Sequence, residues 1–157
     1  MILTGWRVAA PEFANTTDEM LSGRGAFLYG GRWNSPGNHC VYLGTSLAQA
    51  AMEILVHLRR NDVLKKYHRL AVSFEDSLME HIEIQDLPDG WNEPTMTPNS
   101  QAVGDDWLQS GSSLILQVPS AAILGEYNYL LNPLHSDRDK LQFGAIEPFA
   151  FDPRLRT

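Results

Sequence analysis

A single cysteine, Cys40, stands among the 157 residues, so no disulfide can form within the chain, and one thiol fits a reducing compartment. No apolar run approaches the roughly 18 residues that cross a bilayer, and nothing before Leu21 resembles a signal peptide. A cytoplasmic location without membrane association is the expectation. Positive charge is also scarce: 12 Lys and Arg face 19 Asp and Glu, leaving a formal net charge of -7. That argues against direct nucleic-acid binding, which needs a concentrated basic surface. The one basic cluster, Arg59, Arg60, Lys65, Lys66 and Arg69, follows a predicted helix, where cations suit the negative end of its dipole, so a solvated helix end accounts for it.

Several chemistries lack their patterns. The histidines His39, His57, His68, His81 and His135 show neither H-E-x-x-H nor Cys/His ligand spacing, so no metal site is expected. No G-x-S-x-G elbow is present, which disfavours a serine hydrolase. The glycines between Gly23 and Gly31 are not followed by a Walker lysine and do not fit G-x-G-x-x-G. Repeats and low-complexity tracts are missing as well. The length suits one domain over residues 1–157, large enough for a core without disulfides or metal.

What is present reads mainly as strands. Gly5 to Ala10 starts one, and His39 to Leu43 forms another, with Val41 and Leu43 facing away from Cys40 and Tyr42. Residues 12–22 read as a loop or one helical turn, and Gly23, Gly25, Gly30 and Gly31 as tight turns that allow close approach to a ligand. His68 to Phe74 alternates with Leu70, Val72 and Phe74 on one face, and His81 to Ile84 is a further candidate. Leu87 to Trp91 marks a turn, 92–103 an extended surface loop, and Val103 to Ser110 a short helix. Leu114 to Val118 and Tyr127 to Leu131 are strands, and Leu141 to Phe151 holds one or two more, broken near Pro148. Strands outnumber helices without regular alternation, which points to an α+β fold with a mixed β-sheet core and flanking helices.

The helix after Ser46 carries the most informative pattern. Ser46 is placed to cap it, with Gln49 completing a capping box. From Leu47 to Leu58 only Gln49, Glu53 and His57 are polar, and their spacing of four stacks them on one face. A carboxylate in apolar surroundings needs a partner, and Arg32 is an obvious candidate. The same spacing also suits the solvated strip of an ordinary amphipathic helix, and both readings stay open here. By residue type, an arginine grips phosphate, a tyrosine ring stacks on a flat heterocycle, and a carboxylate beside a ribose stabilises charge as a glycosidic bond breaks. That chemistry suits a dinucleotide with a good leaving group, one hypothesis among several.

The block Gly30-Gly31-Arg32-Trp33-Asn34-Ser35-Pro36-Gly37, then Val41-Tyr42-Leu43 and Ala48 to Leu58, resembles the signature of the RES domain, a family named for an Arg, a Glu and a Ser. The likeness continues through Leu87 to Trp91, Val118-Pro119-Ser120, Asn128 to Pro133 and His135, and ends near Arg154. It implies an ADP-ribosyltransferase-like fold and the toxin of a bacterial Xre/RES toxin–antitoxin pair. It implies a substrate, NAD, whose nicotinamide–ribose bond is broken by phosphorolysis or hydrolysis, with no further cofactor. Relatives that transfer ADP-ribose to a protein make that an alternative, and a catalytically silent binding partner is another.

The likeness also implies neutralisation by an Xre-like antitoxin that carries the DNA-binding activity, and leaves a homodimer within a larger complex open. Carried onto this chain, Arg32 would hold the phosphates or ribose, Tyr42 would pack near the nicotinamide, and Glu53 would stabilise the oxocarbenium-like transition state. The resemblance places the family serine at Ser120, with Ser112 or Ser113 as the alternative for the hydroxyl that reaches the ligand. Arg7 is implied as a second phosphate contact. Each residue also has a plain structural use: Arg32 as a partner of Glu53, Tyr42 as a core aromatic, Ser120 as a cap.

Overall fold

A computed structural model describes residues 1–59, 62 and 65–155. Its longest strand, β3 (Tyr67–Glu75), follows the alternation of its sequence, burying Leu70, Val72 and Phe74 on one face, with Tyr67 buried on the other. It pairs antiparallel along its length with β1 (Ile2–Ala9). Strand β1 in turn meets β2 (Val41–Gly44) at a single register position, Trp6 opposite Gly44. β2 pairs with β6 (Tyr127–Leu131), and β6 with β5 (Ile115–Pro119), both antiparallel. The short β4 (Met79–His81) runs parallel to β5. On the far side β7 (Gln142–Phe143) and β8 (Glu147–Phe149) both pair with β3. The eight strands make one mixed sheet, the α+β arrangement expected from the strand count.

Period-two alternation divides the core. Val41 and Leu43 join Leu70, Val72, Ile115, Tyr129 and Leu131 in one cluster. Cys40 and Tyr42 pack with Leu116, Val118 and Leu130 against Trp33, Trp91 and Trp107 in a second, so the expected opposition of these neighbours holds. Helix α3 (Leu47–Leu55) covers the end of β1, where Ala50 and Leu55 meet Val8, Tyr67 and Phe151. Among the described residues the other α-helices are α1 (Thr17–Met20), α2 (Arg24–Tyr29) and α4 (Pro98–Ser110).

Several boundaries differ from the sequence reading. α2 occupies part of the stretch read as glycine turns, because Gly23 takes a left-handed φ of 70° at the helix start. α4 begins at Pro98 rather than near Val103, since a proline in the first helical turn loses no needed hydrogen bond. Only His81 of the 81–84 stretch is in a strand, and Ile84 opens a 3-10 turn. Pro148 lies inside β8, opposite His68, so the break in the tail falls between Phe143 and Glu147 instead. α3 ends at Leu55, leaving His57 and Arg59 exposed beyond it. Of the basic cluster, Arg60 lies outside the described residues, while Lys65 pairs with Asp62 at 3.0 Å and Arg69 with Glu147 at 2.7 Å. Among the described residues no helix is long and apolar enough to cross a membrane.

Candidate active site

The Gly30 to Gly37 block folds into a loop braced from inside. Asn34 is wholly buried, and its Nδ2 donates to the carbonyls of Ala26, Ser35 and Asn38 at 2.9–3.1 Å. Its Oδ1 accepts from the Tyr42 hydroxyl at 2.6 Å, and that hydroxyl accepts from Trp33 N–H at 3.0 Å. From α4, Asp105 accepts from Ser35 N–H at 2.9 Å, from Ser35 Oγ at 2.6 Å and from Asn38 Nδ2 at 2.9 Å. Ser100 Oγ donates to the Arg32 carbonyl at 2.8 Å. With its buried polar groups so thoroughly paired, this loop is a stiff mount for one side chain.

That side chain is Arg32. Its Nη1 donates to Trp91 O at 2.7 Å, which among the described residues leaves most of the guanidinium fork uncommitted. Burial holds Arg32 below the ordinary arginine value, opposed by the neighbouring Glu53 carboxylate and then by Tyr42. Burial also pushes the Tyr42 hydroxyl well above the usual tyrosine range, with the Cys40 thiol acting in the same direction.

Glu53 reaches the same neighbourhood on α3. Ser46 caps that helix by accepting from Gln49 N–H at 3.0 Å, as its sequence suggests. The Gln49 side chain does not return to complete a capping box. It runs forward instead, donating to Glu53 Oε1 at 2.9 Å and to Asn128 Oδ1 at 3.1 Å. Close seating of the helix makes this possible: a Cβ on Gly44 would overlap Ala50 N and lie 2.7 Å from Ala50 Cα, so only glycine lets the first turn of α3 rest on β2.

All the hydrogen bonds to Glu53 converge on one oxygen. Oε1 accepts from Ser120 Oγ at 2.5 Å, Asn128 Nδ2 at 2.8 Å and Gln49 Nε2 at 2.9 Å. Among the described residues Oε2 accepts none. The seam of three is thus neither a solvated strip nor continuous: Gln49 is buried, Glu53 half-buried and His57 exposed beyond the helix. The expected Arg32–Glu53 pair is also absent, because the carboxylate is held by three neutral donors and Arg32 by a carbonyl.

Ser120 is 2% exposed at the end of β5, and its hydroxyl also accepts from Ile123 N–H at 3.0 Å, a cap as well as a contact. Two implied ligand contacts lie elsewhere. Arg7 donates to the carbonyls of Met20 at 3.0 Å and Val8 at 3.2 Å, and burial brings its guanidinium down to about 10. Ser112 is exposed after α4, bonded to the Ser110 hydroxyl at 3.1 Å, while Ser113 is buried between Trp107 Nε1 and Ile115 O. A surface cavity of about 420 Å³ is lined by residues including His39, Leu108, Asn132 and His135, none of which belongs to this cluster. The pattern of the sequence does not single out Asn128, Gly44 or Asp105. A polar Asn128 inside an otherwise apolar strand is the one available signal.

Residues 4–152 match the model of the RES domain. The chain belongs to the RES domain family. It is 38% identical over 137 residues to Toxin Res of Yersinia enterocolitica, covering 86% of this chain and 90% of that protein. Toxin Res of Pseudomonas putida is 33% identical, with 96% and 97% covered. A protein of a Sphingobium species named Prs ADP-ribosylating toxin is 32% identical, with 99% and 98% covered. In fold, this RES domain matches a chain of the crystal structure of the Mycobacterium tuberculosis MbcT–MbcA toxin–antitoxin complex. The TM-score is 0.67 at 20% identity, over 99% of this chain and 87% of that one. The α+β fold expected from the sequence is the fold of this RES domain, and that chain shares it.

Proposed function

We propose that this RES domain is the toxin of a toxin–antitoxin pair and that it consumes NAD by breaking the bond between nicotinamide and ribose. One observation carries the chemistry: one oxygen of Glu53 is held by Ser120, Asn128 and Gln49, the other accepts no hydrogen bond among the described residues, and the Arg32 guanidinium lies near enough to feel its charge. The names of the Yersinia and Pseudomonas relatives support the toxin reading, and the toxin–antitoxin complex of similar fold supports a separate antitoxin partner, here of the Xre kind.

In the proposed reaction the C1′–N bond breaks and its electron pair goes to the pyridinium nitrogen, so nicotinamide leaves neutral. Positive charge then develops at the ribose C1′ and ring oxygen, where the free oxygen of Glu53 stabilises it. The guanidinium of Arg32 grips the phosphates or ribose and holds the reacting carbon in place. Tyr42 fixes the Arg32 loop through its hydroxyl, with its ring against the tryptophan-lined core cluster. Water adds to C1′ and releases its proton to solvent, or an unprotonated phosphate oxygen adds in its place. Losing the Glu53 contact costs about 3 kcal/mol, or about a hundredfold in rate.

The name of the Sphingobium relative favours one further reading, transfer of the ADP-ribose to a protein. NAD labelled in its adenylate half separates the routes. Label in free ADP-ribose means hydrolysis, label in a phosphorylated ADP-ribose formed only with inorganic phosphate means phosphorolysis, and label on a protein band means transfer. NAD left intact by folded protein in all three conditions would overturn the reading and leave a silent antitoxin partner.

A further inference from the structure

Among the described residues, Asn128 is the one polar side chain that binds both Glu53 and Gln49. It sits on β6 opposite Gly44 and Val118, pointing at the face of the sheet on which α3 rests. It is 8% exposed and Gln49 5%, so both amides are removed from water and depend on internal partners. Those partners close a triangle. Asn128 Nδ2 donates to Glu53 Oε1 at 2.8 Å, Asn128 Oδ1 accepts from Gln49 Nε2 at 3.1 Å, and Gln49 Nε2 also donates to Glu53 Oε1 at 2.9 Å.

The triangle fixes the amide of Asn128. Its oxygen is directed at the Gln49 donor, so its nitrogen must point at the carboxylate. Ser120 adds a third donor from the end of β5, its proton directed at Glu53 while its oxygen accepts from Ile123 N–H. Three elements, α3, β5 and β6, thus meet on one oxygen of Glu53.

We propose that Asn128, braced by Gln49, is a positioning residue for NAD cleavage: it pins Oε1 of Glu53 so that Oε2 faces the ribose. The proposal rests on the NAD-cleaving reading given above. An Asn128→Asp variant tests it, because the replacement keeps the shape and turns a donor into a second carboxylate. Two carboxylates about 3 Å apart do not both ionise readily and share one proton. When that proton sits on the introduced carboxyl group, the lost donor is restored; when it is gone, like charges push Glu53 aside.

The expected result is a kcat for nicotinamide release at least tenfold lower at pH 8 than at pH 6 in Asn128→Asp, against a wild-type profile without that fall. KM for NAD should stay within about threefold, since Arg32 is untouched, and Asn128→Ala should be slow at both pH values. Thermal melting of each variant checks folding. A wild-type rate and pH profile in Asn128→Asp would overturn the proposal, as would an equal loss at both pH values in a folded variant. If the wild-type chain itself releases no nicotinamide, the functional reading fails, and the role in its catalysis fails with it. Carbon-13 NMR of the Glu53 carboxyl then still separates the two questions, since a shared-proton titration in Asn128→Asp shows that Asn128 governs Glu53 whether or not NAD is cleaved.

Discussion

Replacing Gly44 by alanine should disable the site without touching any residue that contacts a ligand. The added Cβ would lie 2.7 Å from Ala50 Cα, with Ala50 N in overlap, whereas ordinary carbon–carbon contact begins at about 3.5 Å. Helix α3 must therefore move off the sheet by roughly 1 Å. The Gln49–Asn128 hydrogen bond, now 3.1 Å, would stretch beyond hydrogen-bonding range, and Glu53 would leave Ser120 and Asn128 with it. Overpacking of this kind costs about 2 kcal/mol, which in a domain of this size lowers Tm by about 4–8 °C. The larger effect is on rate, since a displacement of about 1 Å at a reacting group costs on the order of a hundredfold. The assay is nicotinamide release at a temperature well below the variant's own melting transition. A folded Gly44→Ala protein with the wild-type rate would refute the claim that the seating of α3 sets the position of Glu53.

Tyr42→Phe removes the partner of Trp33 N–H and of Asn34 Oδ1, and urea unfolding should show a loss of about 1–3 kcal/mol, with a raised KM for NAD as the Arg32 loop loosens. Asp105→Ala strips three donors of their acceptor and should destabilise the chain by about 2 kcal/mol in the same assay, again with KM affected more than kcat. Burial, then the Asp105 charge, raises the Cys40 thiol above its ordinary value of 9.0, with Arg7 opposing. The folded chain therefore keeps this proton while the unfolded chain loses it. Stability is intact below pH 9 and falls above it by about 1.4 kcal/mol per pH unit, a slope that denaturant titrations should find reduced in Cys40→Ala.

The strands were legible because their burial obeys a period of two: Leu70, Val72 and Phe74 point inward as the alternation implies, and Tyr127 to Leu131 has its expected limits. Helix boundaries were less legible. Pro98 reads as a loop residue until one sees that the first turn of α4 does not need its N–H. At the site, the spacing on α3 brought Glu53 forward and the family resemblance Arg32, Tyr42 and Ser120; Ser120 bonds to Glu53, and Tyr42 braces the loop that carries Arg32. Nothing in the spacing of Gln49 and Glu53 shows that Asn128 lies between them in space, since that contact depends on pairing β2 with β6 and on the missing side chain at Gly44. Arg7, implied by the resemblance as a phosphate contact, donates here to the backbone carbonyls of Met20 and Val8.

The most direct measurement is the rate of nicotinamide release from NAD by the purified chain, free of any antitoxin, beside Glu53→Gln. The account predicts release by the wild-type protein and a loss of about a hundredfold or more in the variant, with folding unchanged. Equal rates from the two proteins, or no release from well-folded wild-type protein, would contradict it.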